Sequence, residues 1–70
     1  MTNKEYVKNN YPRAYIWILK GVYDTWHNVV SYSEDGKGIE FWGWTTSSPR
    51  GAWESAYRQI QQEFLRKLIE

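Results

Sequence analysis

The stretch WHNVVSYSEDGKGIEFWGWTT, residues Trp26–Thr46, decides the fold of this chain. Two runs rich in β-branched and aromatic residues flank Glu34-Asp35-Gly36-Lys37. Such runs favour pleated strands. Asp-Gly between them favours a two-residue type I′ turn, whose central residues both take positive φ. The spacing predicts an antiparallel hairpin with strands over about 26–33 and 38–46. If Glu34 opposes Lys37, then Tyr32 opposes Ile39, Val30 opposes Phe41, Asn28 opposes Gly43 and Trp26 opposes Thr45, all on one face. On the other face Ser31 opposes Glu40, Val29 opposes Trp42, and His27 opposes Trp44. The first face carries Trp26, Val30, Tyr32, Ile39 and Phe41, and is the expected core. A slip of one residue would exchange the two faces.

Outward from the hairpin, residues 14–20 (Ala14 to Lys20) are again β-branched and aromatic and predict a third strand. Ser48 before Pro49 is a helix start: a capping hydroxyl, then a proline at the first helical position. Trp53, Ala56, Tyr57, Ile60, Phe64, Leu65 and Leu68 recur at three-and-four spacing. They predict one apolar stripe on a helix over about 49–68. Glu54–Arg58 and Glu63–Lys67 are i,i+4 pairs off that stripe. Thr2-Asn3-Lys4-Glu5 is a capping box, with a short helix over about 3–9 ended by Asn10-Tyr11-Pro12. The expected fold is α+β, in two layers: a three-stranded antiparallel sheet with the long C-terminal helix on one face.

Seventy residues make a single domain with little core to spare. There is no cysteine, so neither disulfides nor thiolate metal sites are available. Five Trp, six Tyr and two Phe carry the packing instead. The formal net charge is +1, with the two signs interspersed and no basic run. No stretch is long enough to span a bilayer, and Met-Thr-Asn-Lys-Glu is not a signal pattern. The expected compartment is the cytoplasm, with no membrane partner.

No catalytic spacing stands out, and the chain reads as non-catalytic. His27 is the single histidine, and no nucleophile motif accompanies it. Glu34, Asp35 and Glu40 decorate a hairpin and do not form a cation loop. Gly36-Lys37-Gly38 lies within a hairpin, where no phosphate loop sits. Neither a cofactor nor a metal is expected. The candidate binding surface is aromatic: Trp42 and Trp44 on one strand, with His27 and Trp17 beside them, and Lys37 and Arg50 supplying charge at the margins. Bases stack on such surfaces, and Trp is equally favoured in protein contacts. Alternatively, Tyr6 and Tyr11 of the N-terminal segment cover these rings, or a second copy of the chain does. The first expectation is nucleic-acid contact through the sheet face opposite the helix; a protein-binding adaptor or inhibitor using the same face, or a homodimer burying it, is the alternative.

The order short helix, three strands, long helix resembles the double-stranded RNA-binding domain. Gly43, the loop from Thr45 to Gly51, Ala52, Ala56 and His27 stand where that family keeps comparable residues. The resemblance implies the same topology, while the lysine cluster that family uses on phosphates is replaced by Arg50 and Arg58 alone. Gly21-Val22, Trp26, Gly36-Lys37, Trp42-Gly43-Trp44-Thr45 and Ala56-Tyr57 are also similar to the three-stranded DNA-binding domains of plant ethylene-response regulators and integrase arm-binding modules. That resemblance implies contact through the sheet face opposite the helix. Here the expected face carries no arginine, the commonest base reader.

Overall fold

A computed structural model describes residues 1–69. The elements run α1 (Asn3–Asn10), β1 (Tyr15–Lys20), β2 (Thr25–Tyr32), β3 (Ile39–Trp42) and α2 (Pro49–Ile69). The sheet is antiparallel in the order β1-β2-β3, and the α+β architecture is the expected one. Thr2 caps α1, its side chain accepting from the Glu5 N–H at 3.1 Å. Ser48 Oγ accepts from the Gly51 N–H at 3.0 Å and starts α2 just ahead of Pro49. Glu54 and Arg58 pair at 2.8 Å along the exposed helix surface.

The two hairpins close differently. Between β1 and β2 the turn is tight: the Gly21 N–H donates to the Asp24 carbonyl at 2.7 Å, leaving Val22 and Tyr23 at the tip. Between β2 and β3 the type I′ turn is absent. Gly36 alone has positive φ, at 73°, so Asp35 does not take the second left-handed position that such a turn requires. The Gly36 N–H instead donates to the Ser33 carbonyl, and the Ser33 N–H to the Gly38 carbonyl. The loop is therefore four residues, Glu34 to Lys37. The Asp35 carboxylate fastens it by accepting from the Ser33 hydroxyl and from the Lys37 N–H. These bonds, the Ser33 hydroxyl's first, hold the Asp35 carboxyl below the usual carboxylate range.

Register decides the rest. Tyr32 opposes Ile39 as expected, but Ser31 opposes Phe41 and Val30 opposes Trp42. Glu40 is the extra residue of a β-bulge, which breaks the two-residue alternation of faces. Its carboxylate accepts from the Ser31 hydroxyl at 2.7 Å and from Arg13 at 3.1 Å, while Arg13 Nε also donates to the Tyr32 carbonyl. Phe41 thus points to the helix side, and Trp42 away from it.

The core lies between sheet and helices: Val7, Ala14, Val29, Phe41, Ala52, Ala56 and Ile60, flanked by Tyr6, Tyr11, Ile16, Trp53 and Tyr57. On β2 the helix-facing set is therefore the one containing Val29, and the expected faces of that strand are exchanged. The physical reason is size. Ala52 and Ala56 bring α2 close to the sheet. Val29, which shares the core with Ala52 and Ala56, fits beneath it where Trp26 and Tyr32 do not. The apolar stripe of α2 is also shorter than expected. Its buried positions end at Ile60. Phe64, Leu65 and Leu68 are exposed, Leu68 by 82 %. A 21-residue helix is about 31 Å long and overruns a sheet of short strands.

Candidate functional site

The side of the sheet away from α2 is built by alternation along three strands. Tyr15, Trp17 and Leu19 come from β1, opposite Val30, Asn28 and Trp26 of β2. Tyr32 and Ile39 pair at one end, and Trp42 opposes Val30 across the β2–β3 ladder. Trp17 and Trp42 meet edge to face with centroids 5.2 Å apart. Tyr15 and Tyr32 stack at 6.3 Å. Loss of solvation, and then the neighbouring Tyr32, raise the Tyr15 hydroxyl above its ordinary range.

These rings form a shallow second layer. They bury Asn28 and Val30 completely while staying partly open themselves: Trp26 is 43 % exposed and Trp42 48 %. No charged side chain arises from these positions. The Asn28 amide has no hydrogen-bond partner on either its oxygen or its nitrogen. A buried unpaired amide is costly, so this position stands out from the apolar residues around it.

Of the residues singled out in the sequence, Trp17 and Trp42 lie together on this face. His27 does not. It alternates with Asn28 onto the helix side, and its backbone pairs with Thr46 in both directions at 2.7 Å. Trp44 follows the end of β3, where Gln59 of α2 ties down the irregular chain by accepting from the Trp44 N–H at 2.8 Å. Trp44 is 54 % exposed and lines a shallow hollow with Gln59, Gln62, Glu63 and Arg66 of α2. Lys37 sits on the β2–β3 loop, and Arg50 in the first turn of α2. Neither belongs to this face.

Nor does the N-terminal segment cover the rings. Tyr6 packs on Tyr57 at 4.7 Å and Tyr11 on Phe41 at 4.9 Å, both on the helix side. The face members that sequence reasoning placed elsewhere are Trp26, Tyr32 and Ile39, assigned to the core because they are the more apolar set. Their signal was the same alternation, read with the opposite face buried.

Among the described residues, no three His, Asp or Glu side chains gather as a cation site, and no helix is long and apolar enough to cross a membrane. Comparison with family models, with curated proteins and with solved structures finds no match for this chain.

Proposed function

We propose that this protein is a non-catalytic interaction module whose contact surface is the aromatic sheet face, and that its partner is a protein with a complementary apolar surface. The observation carrying this reading is the uncharged, half-open layer of Tyr15, Trp26, Tyr32 and Trp42 over the buried Val30 and Asn28. With Leu19 and Ile39 the face offers on the order of 500 Å² of accessible surface, taking roughly 150–250 Å² per ring. A patch of that size equals the largest found on typical monomers, which is often functional, and Trp and Tyr are the residues that anchor such contacts.

Nucleic acid is the second reading, favoured by exposed rings on an antiparallel sheet, to which bases stack. Against it stands the charge pattern. Backbone contact requires cations near the stacked bases. Arg13, which reaches the Tyr32 carbonyl of this face, is already engaged by Glu40.

Capture on immobilised protein separates the two. The wild type and a Trp26→Ser/Trp42→Ser variant are compared at low and high salt. A protein retained at high salt by the wild type and lost by a folded variant supports the first reading. Nucleic acid retained at low salt and released steeply as salt rises supports the second. Equal capture by both proteins refutes the aromatic face as the contact surface.

A further inference from the structure

A separate surface carries a more specific inference: the free edge of β1. The orientation of its backbone follows from three bonds. The Gly21 N–H donates to Asp24 across the β1–β2 turn, which makes Gly21–Asp24 a hydrogen-bonded pair of that ladder. In an antiparallel ladder such pairs alternate, so Leu19, Trp17 and Tyr15 point their backbone groups inward to β2. The other side of β2 agrees. His27 and Val29 direct their backbone groups to Thr46 and Gly43, away from β1. Ile16, Ile18 and Lys20 therefore aim their N–H and C=O groups out of the sheet. Among the described residues nothing satisfies them: no backbone bond beyond the ladder reaches these positions, and α2 packs mainly on β2 while α1 packs on α2.

The two edges of the sheet differ in how they are protected. β3 has four residues and carries a bulge with the charged Glu40, devices that discourage strand addition. β1 has six residues, YIWILK, paired to β2 without a register shift. It has no proline, and no charge before its last position. Ile18 is 50 % exposed there.

We infer that β1 pairs with β1 of a second copy of this chain, antiparallel about a two-fold axis at Ile18, to form one continuous six-stranded sheet. This register is self-complementary. Ile18 meets the partner's Ile18, and Ile16 meets the stem of the partner's Lys20. On the open face Trp17 meets the partner's Leu19. Every outward N–H and C=O of Ile16, Ile18 and Lys20 gains a partner, and no two like charges stand opposite. The pairing also joins the two aromatic faces side by side. The inference does not depend on what those faces bind.

The test is the solution mass of the full chain by light scattering or sedimentation across a concentration series. The wild type passes from monomer to dimer as concentration rises. Ile18→Pro removes only an outward N–H, the kind of edge position where proline is tolerated, and Ile18→Lys sets two cations face to face. Each variant weakens dimerisation at least about tenfold while circular dichroism stays native. Should the proline variant fail to fold, the lysine variant decides. Hydrogen-bonded antiparallel pairs have Cα atoms about 5.5 Å apart, within disulfide range. Oxidised Ile18→Cys therefore yields a covalent dimer, and Tyr15→Cys, distant from its own copy, does not. A wild type that stays monomeric, or folded Ile18 variants that dimerise as the wild type does, overturns the inference. So does a dimer broken by Trp26→Ser/Trp42→Ser and not by Ile18→Lys, because that is face-to-face contact.

Discussion

Replacing Gly43 with alanine probes the closest approach of backbone to backbone in the core. Gly43 follows β3 and donates its N–H to the Val29 carbonyl at 2.7 Å. A Cβ placed on it would lie 3.0 Å from that carbonyl oxygen, 3.3 Å from the Val29 nitrogen and 3.5 Å from the Phe41 ring. Two of these three neighbours are backbone atoms of a central strand, which cannot swing aside. Overpacking of this kind costs about 1–3 kcal/mol. Alanine also restricts the unfolded chain, which offsets about 0.4–1 kcal/mol. The net expectation is a loss of about 1–2 kcal/mol. In a domain of this size each kcal/mol moves Tm by about 4–8 °C, so Tm falls by about 5–15 °C. Gly38→Ala is the matched control. Its Cβ would meet nothing within 4 Å, and its φ is not positive. It should leave Tm unchanged or raise it slightly. Thermal unfolding of both variants by circular dichroism is the assay. Equal stability of the two would refute the close approach of residue 43 to the Val29 backbone.

Three other substitutions test neighbouring parts of the account. Asn28→Leu removes a buried amide with no partner and should raise the urea midpoint, by about 1–3 kcal/mol of stability; a lower midpoint would show that the amide is satisfied. Ile60→Ala should cost about 2–4 kcal/mol in the same assay, whereas Leu68→Gln, on the exposed end of α2, should stay within about 0.5 kcal/mol. Similar losses at the two positions would mean that the helix is buried over its whole length. The Asp35 carboxyl is held below its ordinary range by the Ser33 hydroxyl and the Lys37 N–H, so its contribution is present above the unfolded carboxylate range and fades as pH falls through the folded value. Asp35→Asn should therefore be less stable than wild type at neutral pH, with the gap closing in acid; a gap independent of pH would place its cause elsewhere.

Much of this architecture was legible in the chain because it rests on local rules. Thr2 and Ser48 mark helix starts through capping chemistry, and residues 14–20 and 26–33 read as strands by composition, within one residue of the observed bounds. What the chain hid were choices made between elements. Asp35-Gly36 read as a two-residue turn, but the Ser33 hydroxyl and the Asp35 carboxylate together stabilise a longer loop. Glu40 read as an outward strand residue, and its bonds to Ser31 and Arg13 instead hold a bulge. Residue 13 lies far from residue 40 in sequence, so no local pattern reports that contact. The bulge explains why Trp42 fell on the open face although the face expected for its β2 neighbours was the wrong one. Packing settled the face of β2. Alternation states that Val29 and Val30 point oppositely, but only the closeness of Ala52 and Ala56 decides which of them goes inside. The end of the core at Ile60 depended on the extent of the sheet, which the helical periodicity of Phe64, Leu65 and Leu68 cannot convey.

Trp26 distinguishes the two possible faces better than any other residue, because the more apolar set to which it belongs is core on one assignment and open on the other. Hydroxyl-radical footprinting of the dilute protein, read residue by residue by mass spectrometry, measures it directly. Trp26 and Trp42 should both be readily labelled while Phe41 is protected. Protection of Trp26 in the monomer would contradict the open assignment.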